Sequence, residues 1–515
     1  MRTASHGAGL LLAALVVAPI GWLALRAVER ADEAVAALTH TSMLQGIAQS
    51  VWIAACVALT CVAIALPSAW LTHATDVPGR SLFRRVLVLP LAVPSYVSGF
   101  VVVATLGPVG LVRKAGIPAP EVYGLFGATV ALAFSYPYVL LPLQAAMARV
   151  DPRTWEAARS LGATPAKAFR QVVWPSVRGA TVQGALLVSL YTLGDFGAVS
   201  LLRFPSLSYL IYARYSSPVT RNEAVWYAFV LVALALALLA AGRWIAPAHK
   251  ADLSQPRPWP TVELGRWRWP AFAWCAGVTG FGAVLPVATV AWWFVRGVRA
   301  GNTLEDLRVE TLNSVWMAAW AALLITAFGL LPALLNRFGD PKVARLVDRA
   351  CYIGYALPGL VVGLSLIYMG TRATPWLYHT VWMLQLAYLI RFLPQVTGTV
   401  SGALSAQSPR LYDAARSLGQ GAAGAIVRVV LPVSAPALMA GALAVFLSVL
   451  KELPATILLK PPGFSTLATK IWSLTEEAYF TATSPTVLTL LVLALIALWL
   501  RPDSALRGAR EEKAP

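Results

Sequence analysis

Charged residues are scarce in this chain: Asp, Glu, Lys and Arg make up 12% of its 515 residues against 58% hydrophobic ones, and the mean hydropathy is +0.67. That leaves too little polar surface to cover a soluble globule of this size. Cysteine is as sparse. The four thiols (Cys56, Cys61, Cys275, Cys351) lie in or beside apolar runs, form no CxxC pair and have no histidine nearby in sequence, which argues against a disulfide framework or a zinc site. They read as small buried hydrophobes. The five histidines (His6, His40, His73, His249, His379) make no ligand-spaced cluster, and no nucleophile-plus-base pattern occurs. No GxxxxGK[ST] phosphate loop is present, so the chain has no ATP site of its own. By itself it reads as neither an enzyme nor a cofactor or metal carrier.

What the sequence has instead is apolar runs of about 20 residues, the length a helix needs to cross a hydrocarbon core. Twelve spans are expected, near 9–28, 46–72, 84–107, 122–148, 180–202 and 224–245, then near 271–295, 311–336, 351–370, 377–400, 434–459 and 485–501. The first lacks a clean cleavage site, since Arg26, Glu29 and Arg30 follow it, and is expected to be an uncleaved span rather than a signal peptide. Proline interrupts several spans, at Pro90, Pro94, Pro137, Pro142 and Pro358, and such breaks are tolerated where protein or a water-lined cavity satisfies the freed backbone. The class is therefore an all-α polytopic membrane protein with a lipid bilayer as its solvent.

The net charge of +18 raises the possibility of a nucleic-acid partner. Its distribution speaks against one. With the two polar loops described below placed in the cytoplasm, 26 Lys and Arg face 11 Asp and Glu on that side, against 14 and 11 on the other. This is a positive-inside bias, and it puts both termini in the cytoplasm.

Residues 247–270 carry a cluster of prolines, several charges and no apolar run, and read as a cytoplasmic connector. The expected division is a six-helix repeat over 1–246, the linker 247–270, a second six-helix repeat over 271–501 and a tail over 502–515. The pattern restarts after the linker: Gln49-Ser50-Val51-Trp52 is echoed by Asn313-Ser314-Val315-Trp316, and Pro94 by Pro358. Two copies that enter and leave on the same side are parallel repeats, a pseudo-dimer in one chain.

The sharpest echo is polar. Glu156-Ala157-Ala158-Arg159-Ser160-Leu161-Gly162, closing on Val172-Val173-Trp174-Pro175, returns as Asp413-Ala414-Ala415-Arg416-Ser417-Leu418-Gly419, closing on Val429-Val430-Leu431-Pro432. Asp151-Pro152 and Ser408-Pro409 precede the two copies as an N-cap acceptor followed by proline at the first helical position. Each predicts a helix of about two turns that a left-handed glycine ends. The paired alanines admit close approach by another protein, the preceding aromatic offers an anchor, and the acid and arginine give rim charges. The bland alternative, a loop helix resting on the bilayer, does not account for its recurrence.

These loops resemble the cytoplasmic signature of permeases of binding-protein-dependent ABC importers, with Asp413 in place of the usual Glu and Val172 and Val429 where Ile is frequent. The resemblance implies that Glu156, Ala157, Ala158 and Gly162 form one ATPase-coupling helix and Asp413, Ala414, Ala415 and Gly419 a second. Lys451-Glu452-Leu453-Pro454-Ala455-Thr456-Ile457-Leu458-Leu459, followed by Pro461-Pro462-Gly463-Phe464 and Thr466 to Trp472, is similar to fused two-repeat permeases of the ferric-iron import type. Relatives of that type carry thiamine, aminoalkylphosphonates, polyamines, sulfate or molybdate. The implied partners are an ABC ATPase dimer, which binds ATP and Mg, and an extracytoplasmic or periplasmic substrate-binding protein. The implied location is the bacterial inner membrane.

The same offset pairs Asp195 with Glu452, acids within or at the edge of apolar helices. Burying them is expensive, so either they line the translocation path or they tie helices together, Glu452 with Lys451 or Lys460. An ion-coupled secondary transporter using those two acids is the competing class. It has no reason to keep two matched loop helices.

Overall fold

In hydrocarbon every backbone NH and CO must be satisfied within its own segment, so apolar runs of this length become helices. A computed structural model of the chain describes residues 2–245, 261–301 and 306–500. Among these the only β pairing is a single bridge, Thr75 to Val262. The all-helical, multi-span class read from the sequence is what the structure has.

Among the described residues eight helices are long and apolar enough to cross a membrane, and two bent pairs raise the number to ten: Leu125–Ala133 with Pro137–Met147 at 42°, and Pro341–Ala356 with Gly359–Arg372 at 106°. The other two expected spans fall on Trp174–Gly194 and Val381–Ala406, helices of 21 and 26 residues that lie outside this set. Both carry charge and amide groups, Arg178 and Gln183 in one and Gln385, Arg391 and Gln395 in the other. By this measure eight to ten of the twelve expected spans stand out among the described residues. The sharper bend sits where Pro358 caps Gly359–Arg372, as Pro94 caps Ser95–Leu106, so the echoed prolines start equivalent helices after a break.

The helices gather into two compact units that do not follow the sequence halves. Of the described residues, the first comprises those within 33–304 and 471–485; the second comprises those within 2–32, 306–470 and 486–500. In the second unit helix Arg2–Glu29 packs on Arg308–Phe338, Pro341–Ala356 and Gly359–Arg372. In the first unit Arg268–Thr279 packs on Thr41–Ala74, and Leu285–Arg299 on Ser95–Leu106. The opening helix of each sequence repeat thus packs among helices of the other repeat.

Of the expected linker, residues 247–260 lie outside the described residues, as does the tail 502–515. Its end is anchored: Val262 NH donates to the Ala74 carbonyl at 2.8 Å, Leu264 NH donates to Asp76 Oδ1 at 3.0 Å, and helix begins at Arg268. The serine echo also has a structural cause. Ser50 Oγ accepts the NH of Leu207 at 2.8 Å and Ser314 Oγ that of Leu467 at 2.9 Å, so in each unit one hydroxyl takes up a free donor at the start of a distant helix. The four cysteines are unpaired, and all but the half-buried Cys56 are buried.

Candidate functional site

Both predicted loop helices form, over Pro152–Ser160 and Pro409–Ser417. Their starts differ. Asp151 Oδ1 accepts the NH of Arg153 at 3.0 Å, whereas the Ser408 side chain makes no capping hydrogen bond. Their ends are the same. Gly162 and Gly419 both have φ of +83°, and a pair of bonds closes each terminus: Ala163 NH to Ala158 O and Gly162 NH to Arg159 O, matched by Gln420 NH to Ala415 O and Gly419 NH to Arg416 O. That is the left-handed termination in which glycine avoids the Cβ penalty. Arg159 and Arg416 then donate to the carbonyls of Ala163 and Gln420, at 2.5 and 2.9 Å. The arginines therefore brace the turn, a more specific job than the rim charge expected of them.

Glu156, Ala157, Gly162, Asp413, Ala414 and Gly419 are exposed; Ala158 is half-buried and Ala415 buried. The alanine pairs therefore present only one member fully. Two residues missing from the sequence reading stand out beside them. Leu161 is 88% and Leu418 84% exposed, each at the tip of its helix just before the left-handed glycine. An apolar residue repeated at a polar helix end was the signal for them. Matched apolar tips beside an acid and small residues form a surface fit to be covered by a partner protein.

The aromatic residue before each acid faces inward, not toward a partner. Trp155 is 4% exposed and packs against Trp70 at 5.3 Å between centroids, and Trp70 packs edge-on to Phe169 at 5.0 Å. Tyr412 is half-buried against Phe338 at 4.9 Å. Each loop helix is thus pinned to a membrane helix of its own unit, Thr41–Ala74 or Arg308–Phe338. Beyond it the repeat persists even in irregularity, because Phe169–Val173 and Ile426–Val430 are both single π-helical turns leading into the next long helix. Trp155→Ala is expected to cost about 3 kcal/mol locally and to speed hydrogen exchange across residues 152–162, with Trp155→Phe keeping most of the protection. Unchanged exchange in the alanine variant would show that the aromatic cluster does not hold the loop.

Asp195 and Glu452 are both buried, at 6% and 7% exposure. They do one job in common. Asp195 Oδ1 accepts the NH of Ala198 at 2.9 Å and Glu452 Oε1 that of Ala455 at 3.1 Å, so each caps the short helix that follows, Gly197–Leu201 or Pro454–Leu459. Their remaining partners differ. Ser95 bonds to Asp195, whereas Arg391 forms an ion pair with Glu452 through Oε2. The expected pairing of Glu452 with Lys451 or Lys460 gives way to this helix-to-helix contact. Arg391 comes from Val381–Ala406, and it fits because Gly359 leaves the room: a Cβ there would sit 2.7 Å from Arg391 Nη1 and 2.8 Å from Glu452 Oε1. A lone arginine inside an apolar run was the overlooked signal. Among the described residues no three His, Cys, Asp or Glu come together as a metal site.

Residues 63–250 and 314–502 each match the family described as binding-protein-dependent transport system inner membrane component. Among curated proteins, the Fe(3+)-transport system permease protein FbpB 2 of Haemophilus influenzae is 26% identical over 493 residues, covering 94% of each chain. The sulfate transport system permease protein CysT of Salmonella typhimurium is 34% identical over 134 residues, covering 25% of this chain and 48% of its own. The thiamine transport system permease protein ThiP of Brucella abortus is 27% identical over 338 residues, covering 61% of this chain and 60% of its own.

Proposed function

The chain belongs to the inner membrane components of binding-protein-dependent transport systems, carrying their domain twice, and from that premise we propose that it is the permease of an ATP-driven importer of ferric iron. The observation that carries this reading is the pair of matched loop helices with left-handed glycine ends and exposed leucine tips. An ATPase dimer docks one subunit on each. ATP and Mg belong to that dimer, and its closure moves the loop helices and, through Trp155–Trp70 and Tyr412–Phe338, the membrane helices of each unit.

A separate extracytoplasmic binding protein delivers the cargo from the opposite face, and both termini are cytoplasmic. Iron is favoured over sulfate and thiamine because the ferric-iron permease of H. influenzae aligns along 94% of both chains while the sulfate and thiamine permeases align over shorter stretches. The metal ion here is cargo. Asp195 and Glu452 serve first as helix caps, so the geometry favours their structural role over lining the path.

The test is uptake into vesicles holding the permease, its ATPase and its binding protein. ATP-dependent accumulation of iron is expected, with none in the absence of the binding protein. Uptake that ignores ATP and follows a proton gradient would place the chain among secondary transporters, and ATP-driven uptake of sulfate or thiamine but not iron would overturn the substrate alone.

A further inference from the structure

Helix Val381–Ala406 of the second unit carries a polar ladder to the chain that packs beside it. Tyr388 OH lies 2.8 Å from Thr456 Oγ1, Arg391 pairs with Glu452, and Gln395 Nε2 donates to Ser448 Oγ at 3.0 Å while that hydroxyl donates to Gln395 Oε1 at 3.1 Å. The rungs become steadily more open along the helix. Tyr388 is buried, Arg391 is 19% exposed, Gln395 and Ser448 are half-buried, and Thr399, a turn further toward loop helix Pro409–Ser417, is exposed. Gly398 and Gly402 are exposed on the same face, and among the described residues Trp382 is the only large apolar side chain this helix exposes.

Such a face does not suit lipid. The neighbouring helix Arg308–Phe338 shows what does, since Leu312, Trp316, Trp320, Leu323 and Ala327 form an exposed apolar stripe at helical spacing. Tying helices together is not cause enough either. At the 257-residue offset that relates the two loop helices, Gln395 and Ser448 correspond to Tyr138 and Tyr191, and Arg391 and Thr399 to Phe134 and Pro142. The first unit closes the equivalent junction with rings, Tyr138 against Tyr191 at 5.2 Å between centroids. The junction can thus be made without amide and hydroxyl, and partly open polar groups within a membrane helix call for water beside them.

We propose that this face, Arg391, Gln395, Gly398, Thr399 and Gly402 with Ser448 beside them, is a hydrophilic wall of the translocation path, where Gln395 and Ser448 hydrogen-bond a small hydrated ion as it passes. The inference rests on the transport reading above. Arg391 and Glu452 offset each other's charge, and the amide and hydroxyl next to them can exchange for hydration water without a charge that would trap the ion. A path must bind weakly enough to let go, whereas carboxylate oxygens are the ligands that hold a hard ion.

Gln395→Cys, Thr399→Cys and Ala327→Cys are made in the full-length protein, and open membrane fragments are treated with a charged, water-borne methanethiosulfonate, labelling being counted above that of the parent's own thiols. Gln395 lies eleven residues before Ala406 and Ala327 eleven before Phe338, which matches their depth. Only a thiolate reacts and apolar surroundings suppress it, so the two wall cysteines should label at least about tenfold faster than Ala327→Cys. Gln395→Leu with Ser448→Ala should keep the parent's thermal midpoint, because both partners are lost together, yet slow ATP-driven iron uptake about tenfold, the worth of one hydrogen bond to a charged group. Labelling of Gln395→Cys and Thr399→Cys no faster than that of Ala327→Cys would put the face in lipid and overturn the proposal. Full uptake by the double variant, or a midpoint that falls in step with uptake, would reduce the ladder to helix ties and overturn it as well. The labelling needs neither ATP nor cargo, so fast labelling in a parent without ATP-driven uptake upholds the wall and sinks the importer reading instead.

Discussion

Replacing Gly162 or Gly419 by valine is expected to leave the protein in the membrane at its normal amount and to cut uptake by at least about tenfold. Nothing lies within 4 Å of the Cβ that either substitution would add, so the damage is not a clash. It is conformational. Both glycines hold φ at +83°, where an L residue pays roughly 1–2 kcal/mol and a β-branched one is a genuine outlier. The cheapest relief is to unwind the last turn, breaking the bonds from Ala163 to Ala158 and from Gln420 to Ala415 and displacing the exposed Leu161 or Leu418. ATPase activity should persist while transport falls, and asparagine, which tolerates the left-handed region, should be milder than valine. Full uptake in both valine variants would remove the loop helices from the coupling mechanism. Comparing Glu156→Asp with Asp413→Glu would then show whether the acid difference makes the two sites unequal.

Removing one partner of the Arg391–Glu452 pair is the second large effect. Breaking a buried ion pair from one side typically costs 3–5 kcal/mol because the other charge is stranded. Arg391 is 19% exposed, which places Arg391→Leu near the lower end, about 3 kcal/mol. It should show as a lowered thermal midpoint and loss of the folded fraction in detergent. Combining it with Glu452→Gln should restore most of the loss, since the amide oxygen still accepts from Ala455 and no charge is left alone. Asp195→Asn should cost under about 1.5 kcal/mol, as Ala198 and Ser95 remain able to bond an amide. A double variant no more stable than Arg391→Leu alone would show that the pair is not the unit that matters.

The local parts of the site were legible because their causes are local. A proline at the first helical position, two turns and a glycine specify a helix and its end with little help from tertiary structure, since the second copy forms without a capping bond from Ser408. Ser50 and Ser314 were legible as an echo but not as a device, because the donors they satisfy, Leu207 and Leu467, lie more than 150 positions away. The inward turn of Trp155 depends on Trp70 and Phe169, which no spacing connects to it. Arg391 was visible as a charge in an apolar run, yet its partner is set by which helices meet at Gly359. Helices Trp174–Gly194 and Val381–Ala406 blurred the span count for the same reason: polar groups inside them are judged by neighbours, not by composition.

Helix Arg2–Glu29 leaves the ribosome before the helices it packs against, which begin more than 300 residues later and run up to Gly359–Arg372. At about 5–20 residues per second that is an interval of tens of seconds. During it the helix must sit in lipid without its partners while the whole of the first repeat is inserted. Biogenesis of the second unit is therefore post-insertional, and its slow step is a search within the plane of the membrane by a helix already threaded.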